Sequence, residues 1–121
     1  MRITAKLLFL VGAAAVVSGA ASAQQQFNGT WSVEVITEKG SCDRAYRYPV
    51  AIENGNVRYA GPESFDVSGS VNARGAIRGS ISRGAAQANV VGTLSGSTGA
   101  GTWETTGAAS CSGRWNAEKR A

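Results

Sequence analysis

From Phe27 onward the chain alternates apolar and polar residues with period two, the pattern of strands that bury one face and expose the other. Phe27 to Thr37 carries Trp31, Val33 and Val35 on one side and Ser32 and Glu34 on the other. Arg44 to Glu53 sets Tyr46, Tyr48, Val50 and Ile52 against Arg47, Pro49 and Ala51. Pro49 has no amide proton for a ladder, which places this stretch at an edge or a bulge. The Asn54-Gly55 pair that follows predicts a tight hairpin, because both residues tolerate positive φ. Val57 and Tyr59 then point inward around Arg58, and Gly61-Pro62 breaks the chain. Phe65, Val67, Gly69 and Val71 alternate with Asp66, Ser68, Ser70 and Asn72, and Ile77, Gly79 and Ile81 alternate with Arg78, Ser80 and Ser82, up to a turn at Arg83-Gly84. The rhythm continues through Ala86, Ala88, Val90, Gly92 and Leu94, then Gly101, Trp103 and Thr105, then Cys111, Gly113, Trp115 and Ala117. No window shows helical spacing of apolar side chains. The expected fold is all-β: an eight-stranded antiparallel up-and-down meander closing as a small barrel or a flattened sandwich.

The two cysteines agree with that count. In an eight-strand meander the connection between strands one and two lies at the same end as the start of strand eight. Cys42 sits in the first of these places and Cys111 in the second. If the sheet closes, strands one and eight are also neighbours, and the two Cα atoms come within the about 4.4–6.8 Å that a disulfide needs. Seven or nine strands would put them at opposite ends. Glycine supplies 14 of the residues after position 23, about twice its usual share of ~7%. Inward glycines at Gly69, Gly79, Gly92 and Gly113 are expected where strands coil sharply or where a large ring needs room.

The segment before this pattern has a different character. Arg2 and Lys6 form a positive start, Leu7 to Val17 an apolar run, and Ala21-Ser22-Ala23 a small-residue cleavage site, which reads as a secretory signal peptide over residues 1–23. Residues 24–121 are then a single barrel-like domain, periplasmic or secreted, folding where thiols oxidise. An apolar run of eleven residues is short for a transmembrane segment. Removing Arg2 and Lys6 lowers the net charge from +4 to +2, ten basic against eight acidic residues. That small excess is far from the basic stripe of a nucleic-acid binder.

Three Gly-x-Trp units, ending at Trp31, Trp103 and Trp115, are in phase with the inward face. They read as core plugs first, and second as the lining of a ligand pocket inside a barrel, as lipocalins and avidins use such residues. Arg47, Arg58 and Arg78, with Arg74 and Arg83 near them, are candidate contacts for an anionic surface, though acidic Glu53, Glu63 and Asp66 lie among them. With no His in the chain and both thiols expected in a disulfide, Ser-His-Asp and Cys-His chemistry has no base and a zinc site has too few ligands. Glu34, Glu104 and Glu118 are all outward, away from any cleft that would raise a carboxyl pKa. The expectation is a protein without enzymatic activity.

The stretch Ser41-Cys42-Asp43-Arg44-Ala45-Tyr46-Arg47-Tyr48-Pro49-Val50, the run from Phe65 to Asn72 and the ending from Cys111 to Arg120 resemble small exported proteins of alphaproteobacteria, rhizobia above all. The similarity spans nearly all of the part after residue 23. That group is sometimes described as related to exoproteins of haem utilisation or adhesion. The resemblance implies an exported fold; a haem would have only Tyr46, Tyr48 or Tyr59 as an axial ligand here, and no cofactor is expected. The resulting expectation is a non-enzymatic exported binding or envelope-associated accessory module, its partner a protein, a glycan or a small apolar ligand. Two alternatives stand beside it: a small-molecule carrier with a Trp-lined barrel interior, which requires a hollow core, and a protease inhibitor, which requires a protruding arm at Gln24 to Phe27.

Overall fold

The structure, a computed structural model, describes residues 25–63, 65–107 and 110–121. The leader over residues 1–23 and the start of the domain at Gln24 lie outside the described residues. Eight strands run in chain order: β1 (Gly29–Lys39), β2 (Ala45–Glu53), β3 (Asn56–Tyr59), β4 (Asp66–Val71), β5 (Ala76–Arg83), β6 (Ala86–Ser95), β7 (Thr98–Thr106) and β8 (Ser112–Lys119). Each pairs antiparallel with the next, and β1 pairs with β8, so the sheet closes into a barrel. Closure removes the two sheet edges that an open meander would expose to other chains. Among the described residues no helix is long and apolar enough to cross a membrane.

Local chemistry accounts for the turns and the coiling. Asn54 and Gly55 take φ of 50° and 83°, the left-handed pair that a two-residue hairpin needs. Gly69 and Gly79 face each other across β4 and β5. A Cβ on Gly79 would sit 2.6 Å from the Ser68 carbonyl oxygen and 3.1 Å from the Gly69 Cα. These two glycines therefore serve backbone approach between coiled strands, and the rings lie elsewhere.

One end of the barrel is filled. Trp31, Ile52, Val57, Val71 and Leu94 meet there, and Phe27, from the turn that precedes β1, is buried among them. The Trp31 indole donates to the Phe27 carbonyl at 2.9 Å, Asn54 N–H donates to the Asn28 side chain at 2.8 Å, and Gln26 donates to the Ala73 carbonyl at 3.0 Å. The N-terminal turn is thus a floor, pinned to two hairpins. The chain ends at the same pole: Thr30 N–H donates to the Ala121 carbonyl at 2.9 Å.

At the other pole, here called the mouth, Cys42 and Cys111 form a disulfide with Cα atoms 6.1 Å apart. It ties the β1–β2 connection to the approach to β8, as the strand-parity argument required. Cys111 is held further by its N–H, which donates to the Thr105 hydroxyl at 2.8 Å.

Candidate functional site

Barrel interiors are filled only where inward side chains are large enough to meet across the axis. Toward the floor these are indole, phenyl and branched aliphatic groups. Toward the mouth the inward positions of β6 are the small Ala86, Ala88 and Val90, opposite Val33 and Val35 of β1. The shortfall leaves a cup of about 380 Å³, open at the mouth. Its deeper wall is Val33, Val35, Ile81, Val90, Trp103 and Trp115, and Thr37, Thr105, Arg83 and Gln87 stand higher up.

The two indoles of the cup lie along its wall. Trp115 donates from Nε1 to the Val91 carbonyl at 3.0 Å, crossing β7 to reach β6. A Cβ on Gly92 would come 2.5 Å from its ring and one on Gly101 2.6 Å from its Nε1. The glycines are the shelf on which the ring rests. Trp103 reaches over β8 in the same manner and donates to the Ile36 carbonyl of β1 at 3.1 Å. Both N–H groups are therefore spent on the wall, and both rings line the cup. Gly92→Ala, which pushes Trp115 off its shelf, is expected to cost about 1–3 kcal/mol and to blue- or red-shift the tryptophan emission. An unchanged urea midpoint and spectrum would show that the ring lies elsewhere.

The rim is aromatic on one side, and strand length explains why. The β2–β3 ladder ends at the Val50–Tyr59 pair and the β3–β4 ladder at Arg58–Ser68, so β2 beyond Pro49 has no β3 partner. Pro49 thus stands where the open edge begins, in keeping with its missing donor. The gap is closed by rings: Phe65 meets Tyr48 and Tyr59 edge-on at centroid distances of 5.0 and 5.5 Å. The Arg83 guanidinium lies over the Phe65 ring at 5.0 Å, within the range of a cation–π contact. Tyr46, 40% exposed, donates its hydroxyl to the Asp43 carboxylate, and Thr37 donates to the Asp43 carbonyl at 2.6 Å.

These surroundings favour the protonated forms of Tyr46 and Tyr48. Burial, helped by neighbouring Tyr46 and Glu63, pushes Tyr48 up to about 12, since a low-dielectric site disfavours the charged phenolate. The hydrogen bond to Asp43 raises Tyr46 as well. A haem held by tyrosine needs the phenolate. The same surroundings raise the cost of a phenolate at Tyr46 and Tyr48, and Tyr59 is packed edge-on against Tyr48 and Phe65.

Of the residues singled out in the sequence, Trp103 and Trp115 line the cup, whereas Trp31 belongs to the floor beneath it. Arg47, Arg58 and Arg78 are spread over the outer wall. Arg47 lies 3.8 Å from Glu34, and Arg58 lies 3.9 Å from Glu53. Arg78 stands on β5 beside Ser70 of β4 and Val91 of β6, so the three do not converge. Arg83, near Arg78 in sequence, lines the mouth of the cup instead of the outer wall. The signal was the phase of β5, where Ile77, Gly79, Ile81 and Arg83 fall on one side. Comparison of the chain with protein-family models, curated proteins and solved structures finds no match.

Proposed function

We propose that this protein is a non-enzymatic exported binding module, periplasmic or secreted, that carries a small apolar ligand in the open half of its barrel. The observation that carries this reading is the cup of about 380 Å³, which falls within the ~300–1,000 Å³ of small-molecule sites and has their mostly apolar walls. An accessory role through a protein or glycan partner has less support, because two of the three outer arginines face carboxylates on their own barrel. An inhibitory arm has less as well, since Phe27 is buried in the floor and the Gln26 side chain is hydrogen-bonded to Ala73. Export is supported by the leader, by the resemblance to small exported alphaproteobacterial proteins and by the disulfide, a bond typical of oxidising compartments.

The test is binding of the neutral fluorophore N-phenylnaphthylamine to the purified mature protein. One saturable site with enhanced emission is expected. Val90→Trp fills the cup from within and should weaken binding at least ~tenfold, equivalent to ~1.4 kcal/mol. Val91→Trp adds the same ring at the next position of β6, whose side chain is 47% exposed on the outer wall, and should leave binding unchanged. Absence of saturable binding, or equal effects of the two variants, would rule out the interior as the site.

A further inference from the structure

The polar groups around the cup select among apolar ligands. Deep in the barrel both indole N–H groups donate to backbone carbonyls. Higher up, Thr37 donates to the Asp43 carbonyl, and Thr105 donates to the Cys111 carbonyl and accepts from the Cys111 N–H. Among the described residues no buried side-chain nitrogen or oxygen lacks a partner. A ligand atom that needs a hydrogen bond would find these indole and threonine groups already engaged, and burying it against Val33, Val35, Ile81 and Val90 would be costly.

The mouth differs. Two lining residues carry charge, Asp43 and Arg83. Asp43 already accepts the Tyr46 hydroxyl. Arg83 forms no ion pair among the described residues, and its neighbour is the face of Phe65. Glu63, in the β3–β4 connection, is not among the residues lining the cup. Four other arginines, Arg47, Arg58, Arg114 and Arg120, have carboxylate partners. Arg83 is at once inward in phase, at the opening and uncommitted to an acid. Guanidinium binds carboxylate in a planar, bidentate manner.

Resting on the carrier reading, we infer that the ligand is an amphipathic anion: an apolar body lodged against Trp103 and Trp115, and a single carboxylate at the mouth on Arg83. The head group stays hydrated on one side while the body is removed from water. Burial of the body supplies the affinity, and the arginine supplies the selection.

Competition against bound N-phenylnaphthylamine tests this with decanoate, decanol and decylamine, three ligands with one tail and different heads. Decanoate should displace the fluorophore at about tenfold lower concentration than decanol, the scale of a charge-assisted hydrogen bond at a partly exposed site. In Arg83→Gln that preference should fall to within about twofold while the fluorophore still binds, and Arg83→Glu should favour decylamine. Arg78→Gln, an outer-wall change on the same strand, should keep the wild-type order. Equal competition by decanoate and decanol in the wild type, a preference for decylamine, or an unaltered preference in Arg83→Gln would overturn the inference while leaving the apolar cup intact. Failure of the fluorophore itself to bind would remove the cup, and the inference with it.

Discussion

Trp31→Ala is expected to destabilise the barrel by about 3–5 kcal/mol, the range for truncating a large aromatic residue in a packed core. The indole is 1% exposed, the most completely enclosed large side chain among the described residues. Its loss leaves a void against Phe27, Ile52 and Leu94 and deletes the donor to the Phe27 carbonyl. That carbonyl belongs to the turn that seals the floor, so the effect should extend beyond the cavity. Trp31→Phe separates the two contributions: it keeps a ring and loses the donor, and the hydrogen bond by itself is worth about 0.5–1.5 kcal/mol. Urea unfolding followed by circular dichroism measures both. A cost below about 1 kcal/mol for Trp31→Ala would show that the floor is loosely packed and that Phe27 does not depend on it.

Breaking the Cys42–Cys111 disulfide should have an effect of similar size by a different route. The bond spans a sequence separation of 69, and closing a loop of that length in the unfolded chain corresponds to about 4.4 kcal/mol in the chain-entropy model. Small domains have stabilities of about 5–15 kcal/mol, so the Cys42→Ala/Cys111→Ala double variant should remain folded with a much lower urea midpoint. Chemical reduction of the wild type should lower the midpoint as much. Coincident midpoints for oxidised and reduced protein would show that the barrel does not rely on the bond. The disulfide and Trp31 lie near opposite ends of β1. Their costs should add to within about 0.5 kcal/mol.

The architecture was legible because alternation survives even where the chain is poor in large residues. Gly99, Gly101, Trp103 and Thr105 keep their phase on β7, and a period of two needs only consistent placement. Strand ends shifted by one or two residues. β1 begins at Gly29 and runs to Lys39, passing a register shift between Thr37 and Lys39 that no local signal announces. Alternation also says which face is inward without saying how far along the axis the interior is filled. Tyr46, Tyr48 and Tyr59 are inward in phase, yet they stand at the rim, where β3 has stopped and the wall is open. The hollow itself depends on volumes summed across strands far apart in sequence. Ala86, Ala88 and Val90 make a cavity only because Val33 and Val35 face them, and that juxtaposition follows from closure.

Gly92 shows both sides of this. Its inward phase marked it as a place where a ring needs room, and the ring proved to be Trp115, two strands away. Arg83 shows the opposite failing. A basic residue beside Gly84 is read naturally as the outer flank of a turn, although its parity with Ile77 and Ile81 placed it on the inner face.

Because Thr30 donates to the Ala121 carbonyl and accepts from the Arg120 N–H, both ends of the described chain emerge from the pole opposite the opening. A tag, a surface tether or a fused reporter attached at either end would stand a full strand's length from the entrance. Sensor-chip and fusion formats can therefore be built on this barrel without obstructing the path by which a guest enters or leaves.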